Sequence, residues 1–74
     1  MPVIEKGKFS GQRLYQRRVE LGYTMEQIAT LVGCSTSAVS QWESGIVHPS
    51  AKSIYELSRA LRVKPGYFFD QGTD

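Results

Sequence analysis

Apolar and polar positions recur at helical spacing along the chain, in stretches that end on glycine. From Ser10 to Leu21, the residues Leu14, Arg18 and Leu21 fall at i, i+4 and i+7, on one helical face. Gly22 stops this helix, because glycine takes the left-handed backbone at no steric cost. Thr24-Met25-Glu26-Gln27 then reads as a capping box, with the threonine hydroxyl capping the helix and Gln27 reaching back. Met25, Ile28, Ala29 and Val32 form a second apolar stripe, which Gly33 ends. Ser35 is a good N-cap for a third helix with Val39 and Trp42 inside and Gly45 at its end. Pro49-Ser50 opens a fourth, with Ile54, Leu57 and Leu61 pointing inward. Pro65-Gly66 breaks the chain before a short apolar turn, Tyr67-Phe68-Phe69. No segment alternates with the period of a strand, and none repeats. The pattern predicts an all-α fold, a compact bundle of about five short helices. The helical unit covers 10–69, between an N-terminal arm, 1–9, and a C-terminal tail, 70–74.

The third helix has two unlike faces. At ~100° per residue, Val39 and Trp42 lie on one side. Ser37, Ser40, Gln41 and Ser44 lie on the other, with Thr36 beside them at the helix start. Taken alone, that polar face is as well explained by solvation as by a binding partner. The turn before it is more informative. Only Gly33 and Cys34 separate the second and third helices, so the two must cross steeply and approach closely. A close crossing demands a small residue on the second helix, supplied by Ala29, and apolar residues inside the third, supplied by Val39 and Trp42.

This Ala-x-x-x-Gly-x-x-x-x-x-Val-x-x-Trp arrangement resembles a helix-turn-helix of the phage-repressor and Cro type, the Xre-like family. The resemblance runs from about Ser10 to Phe69 and centres on "MEQIATLVGCSTSAVSQWESG". It implies a lambda-repressor-like DNA-binding domain whose third helix reads the major groove, and a transcriptional regulator, most often a repressor. Short polar side chains let such a helix sink into the groove, where base edges carry a distinct donor and acceptor pattern. Gln41 can pair bidentately with adenine, and Thr36 can touch a thymine methyl. In the family, residues matching Thr36, Ser37 and Gln41 are the usual base readers; Ser40 shares their face.

Phosphate contacts are expected on either side of the reading helix, fixing its register. The start of the second helix offers the Thr24 hydroxyl and the Met25 backbone N–H, aided by the helix dipole. Arg17 matches a backbone-contacting position in the family. Ser44, the Gly45 loop, His48 and Lys52 flank the other side. In one respect the chain departs from its relatives: "GIVHPS" after the third helix has no Arg or Lys, where many of them have one or two. Related proteins also join the positions of Arg18 and Glu43 in a partly buried ion pair. That would account for a charge on the inward stripe, since a buried charge needs a partner; the alternative is two solvated charges.

Composition narrows the remaining classes. The 74 residues allow one domain, 41% hydrophobic and 22% charged, as in ordinary globular proteins. One cysteine, Cys34, forms no internal disulfide and no cysteine zinc cluster. In the turn it reads as a small hydrophobe in preference to a redox sensor. His48 is the only histidine, so no metal or cofactor is expected, and no paired carboxylates or phosphate loop suggest an enzyme. No apolar run approaches the ~18 residues of a membrane span, and the N-terminus lacks a signal-peptide core. These features favour the cytoplasm, and the resemblance implies a bacterial or phage-encoded protein associated with the nucleoid. Net charge is only +2, but Lys6, Lys8, Arg13, Arg17 and Arg18 crowd the first quarter, as a solvated face or a binding one.

The expected partner is a two-fold double-stranded DNA operator bound by a homodimer. Tyr67-Phe68-Phe69 reads as core, yet it lies where relatives form a dimer or join a second domain. "RVKPGYFF" also resembles the end of regulators whose helix-turn-helix leads into a larger C-terminal domain, such as a metallopeptidase. The alternatives are an antitoxin that represses its own operon and a protein-interaction module that has lost DNA binding.

Overall fold

The computed structural model describes residues 8–69. Most of the expected arm, 1–7, and the whole tail, 70–74, lie outside the described residues. Side-chain caps open each α-helix by satisfying N–H groups that have no partner within the helix. Ser10 Oγ accepts from Arg13 N–H at 3.2 Å and opens α1 (Gly11–Glu20). Thr24 Oγ1 accepts from Gln27 N–H at 3.0 Å while Gln27 Oε1 accepts from Thr24 N–H at 2.8 Å. That reciprocal capping box opens α2 (Met25–Val32). Ser35 opens α3 (Thr36–Ser44), and Ser50 opens α4 (Ala51–Leu61). The fifth expected element is one 3₁₀ turn, Pro65–Phe68, with Pro65 at its first position, where a fixed φ is an advantage. Among the described residues the fold is therefore all-α: four α-helices and a 3₁₀ turn.

Phe9, Leu14, Ile28, Ala29, Val39, Trp42, Leu57, Leu61 and Phe68 form the core, drawn from every element. Burying each of the larger side chains stabilises the fold by ~1.5–3 kcal/mol before entropy is counted. Ala29 sits at the tight corner between α2 and α3. Its carbonyl accepts from both Gly33 and Cys34 N–H, at 2.8 and 2.9 Å, and Gly33 at φ 82° turns the chain. Phe9 packs against the 3₁₀ turn. It forms an antiparallel bridge with Phe69 and packs its ring 5.7 Å from that of Phe68.

Three features depart from the sequence pattern. Leu21 is not part of the inner stripe; it is 38% exposed, because α1 ends at Glu20 and Gly22 at φ 78° leads the chain away. Arg62 ends α4 in the left-handed conformation, φ 61°, where a glycine would be the usual residue. Gly11 is buried so closely on α3 that a Cβ there would meet the carbonyl oxygens of Trp42 and Glu43. This contact joins the start of α1 to the end of α3.

Candidate nucleic-acid interface

The polar side of α3 is free of the other described residues. Thr36, Ser37, Ser40 and Gln41 are exposed, while Val39 and Trp42 on the opposite face are buried. None of those four polar side chains hydrogen-bonds to another described residue, so their donors and acceptors remain open. The backbone beneath them is firmly held. Ser35 Oγ accepts from Ala38 N–H at 3.1 Å at one end. At the other end Gln41 carbonyl accepts from Ser44 Oγ and from the N–H groups of Ile46 and Val47. A rigid helix with an uncommitted polar face has the chemistry to read base edges in a groove.

Arg18 ties this helix to the start of α2. Its Nε donates to Glu43 Oε2 at 2.6 Å and its Nη2 to Glu43 Oε1 at 3.1 Å. Its Nη1 donates to the Tyr23 carbonyl at 2.9 Å, one residue before the Thr24 cap. One guanidinium thus spans α1, the α1–α2 turn and α3. The hydrogen bonds that Arg18 donates to Glu43, and then the carboxylate charge, hold the guanidinium above its already high ordinary pKa, against burial, which lowers it. Two solvated charges are excluded, because both side chains are about nine-tenths buried.

The flanking residues divide. Thr24 Oγ1 accepts within the capping box, and its hydroxyl proton and the Met25 N–H remain for an anion at the start of α2. Glu26 lies in the same first turn and offsets part of that attraction. Ser44 in the last turn of α3, His48 in the loop after it and Lys52 in the first turn of α4 are exposed. Arg17 is differently placed. Its Nε donates to the Leu61 carbonyl at 2.9 Å and its Nη1 to Glu20 at 3.3 Å, so it fastens α1 to the end of α4. A phosphate contact by Arg17 would compete with both bonds. Arg13 likewise donates to the Tyr67 carbonyl, at 3.1 Å. Periodicity gave no sign of these carbonyl contacts, since arginine on a half-exposed face reads as surface charge.

Cys34 is half-buried against the core, and desolvation pushes its thiol pKa up, as expected of a small hydrophobe. Among the described residues no group of acidic, histidine and cysteine side chains is arranged to hold a metal. No helix there is long and apolar enough to cross a membrane.

Residues 14–68 match the helix-turn-helix family. The chain is 35% identical over 57 residues to repressor protein C2 of Salmonella phage P22, covering 77% of this chain and 26% of that protein. It is 36% identical over 55 residues to the HTH-type transcriptional regulator DicA of Escherichia coli K12, covering 74% of this chain and 41% of DicA. The chain thus spans less than half of either relative. The crystal structure of the P22 c2 repressor with a synthetic operator superimposes with a TM-score of 0.81 at 31% identity, covering 86% of this chain and 97% of that one.

Proposed function

The chain belongs to the helix-turn-helix family, and from that premise we propose that it is a sequence-specific DNA-binding transcriptional regulator that acts as a repressor. The observation that carries this reading is the polar face of α3: Thr36, Ser37, Ser40 and Gln41 exposed and uncommitted, on a helix anchored by Val39, Trp42 and the Arg18–Glu43 pair. Those four side chains contact bases. The Thr24 hydroxyl and the Met25 N–H take a phosphate on one side, and Ser44, His48 and Lys52 take phosphates on the other. Arg17 reaches a phosphate only by giving up Leu61 or Glu20, so its share is smaller than the family pattern implies. A homodimer on a two-fold operator, acting in the cytoplasm without a cofactor, completes the reading, and no catalytic role is assigned. Repression by P22 C2, with which the chain shares fold and sequence, supports the sign of regulation.

Selection of genomic fragments by the purified chain tests it. A recurrent two-fold motif among the bound fragments is the expected result. Retention of protein partners with no enriched DNA site would overturn it in favour of a protein-interaction module.

A further inference from the structure

The loop that follows α3 poses an electrostatic problem. Residues 45–50, Gly-Ile-Val-His-Pro-Ser, contain no Lys or Arg, and the last turn of α3 contains none either. Ile46, 74% exposed, and Val47 stand there instead. A helix C-terminus carries partial negative charge, so phosphate is weakly held at this end of α3, where Lys52 is the only Lys or Arg among the contacts proposed above.

The fold brings a second cation from the start of the chain. Gly11 packs on the carbonyls of Trp42 and Glu43, which sets the beginning of α1 against the end of α3. Ser10 N–H donates to the Phe68 carbonyl at 2.6 Å, and Phe9 bridges to Phe69, so the backbone is held up to Phe9. The Phe9 ring lies 6.4 Å from the ring of His48, in the very loop that lacks a basic residue. Lys8 is the next residue out. It is exposed and forms no ion pair among the described residues.

We propose that Lys8 binds a DNA backbone phosphate beside the C-terminal end of α3, supplying the grip that the 45–50 loop lacks. The inference rests on the DNA-reading function proposed above. Lys8 acts as a point charge on a flexible stem and so contributes attraction without base preference. This also gives a role to part of the basic cluster in the first quarter of the chain, since Arg13, Arg17 and Arg18 bond within the fold.

The test compares the full chain with its Lys8→Ala and Lys8→Arg variants across a salt series, on a mixed-sequence duplex and on the fragment enriched by genomic selection. Lys8→Ala should weaken both duplexes by the same factor, roughly five- to tenfold at about 0.1 M salt, and flatten log K against log salt by about one unit per bound subunit. Lys8→Arg should restore both. The melting temperature should not change, because Lys8 is exposed and forms no ion pair among the described residues. An unchanged slope in Lys8→Ala, with selective binding intact in the unaltered chain, overturns this inference and leaves the proposed function standing. A loss confined to the enriched fragment also overturns it, by making Lys8 a base contact. Failure of the unaltered chain to bind either duplex removes both proposals together.

Discussion

Arg18 and Glu43 meet as a two-point ion pair, Nε to Oε2 at 2.6 Å and Nη2 to Oε1 at 3.1 Å, with side chains only 10% and 6% exposed. Glu43 is on the helix proposed to read DNA, and Arg18 also holds the Tyr23 carbonyl before the capped start of α2. The pair therefore sets the spacing between the helix proposed to read bases and the helix start proposed to take a phosphate. Such a pair is weak evidence for net stability, because desolvation offsets much of the attraction. Its geometry, though, fixes one arrangement of three segments.

Removing one partner strands the other in a desolvated site. Arg18→Ala or Glu43→Ala should each cost roughly 1–4 kcal/mol, and the double variant clearly less than their sum. A urea double-mutant cycle measures the coupling; additive losses would show that the two side chains do not act together.

Gly11 gives a prediction of opposite sign to helix propensity. Alanine should stabilise a helix by up to ~1 kcal/mol relative to glycine. Here its Cβ meets the carbonyls of Trp42 and Glu43, backbone atoms that cannot swing aside. Gly11→Ala should destabilise the domain by about 1–3 kcal/mol, the usual range for overpacking. A rise in the melting temperature would mean that α1 and α3 lie farther apart than described.

Arg62 adopts φ 61° at the end of α4, a conformation that costs an L-residue ~1–2 kcal/mol and glycine almost nothing. The entropy that glycine adds to the unfolded chain offsets part of that gain. Arg62→Gly should therefore raise stability by roughly 0.5–1 kcal/mol, read as a higher urea midpoint with an unchanged slope. A fall in the midpoint would show that the Arg62 side chain makes a contact worth more than the strain.

Gln41 and Arg17 should separate cleanly in binding. Gln41→Ala should weaken the selected site by ~1–3 kcal/mol and relax preference at one base pair, leaving non-specific duplex almost unaffected. Arg17→Ala should act first on stability, since it frees the Leu61 carbonyl and Glu20. Its effect on the salt slope should be less than the ~1 unit of a full phosphate contact. Circular dichroism and melting, followed by titrations on both duplexes, distinguish the two. Intact base preference in Gln41→Ala would remove α3 as the reader.

Much of this protein was legible without coordinates. The caps at Ser10, Thr24, Ser35 and Ser50 and the turns at Gly22, Gly33 and Gly45 are local chemistry, decided within a few residues. The division of α3 into Val39 and Trp42 inside and serines, threonine and glutamine outside follows from helical periodicity alone. Arg18 stood out as a charge on an apolar stripe, and the family resemblance supplied Glu43 as its partner, with two solvated charges as the alternative that the structure excludes. Tertiary structure decided whatever depends on a neighbour distant in sequence. Leu21 fits the stripe by spacing, yet α1 ends before it can turn inward. Gly11 looks like an ordinary glycine until α3 is laid across it. Arg17 reads as a free cation until the Leu61 carbonyl, forty-four positions away, is brought beneath it. The sequence by itself determined the helices, their ends and their faces, because those follow from interactions three or four residues apart. Which arginines are bonded within the fold, and that the start of α1 packs against the end of α3, follow only from packing the helices together, since packing selects the carbonyls and carboxylates that each charge meets.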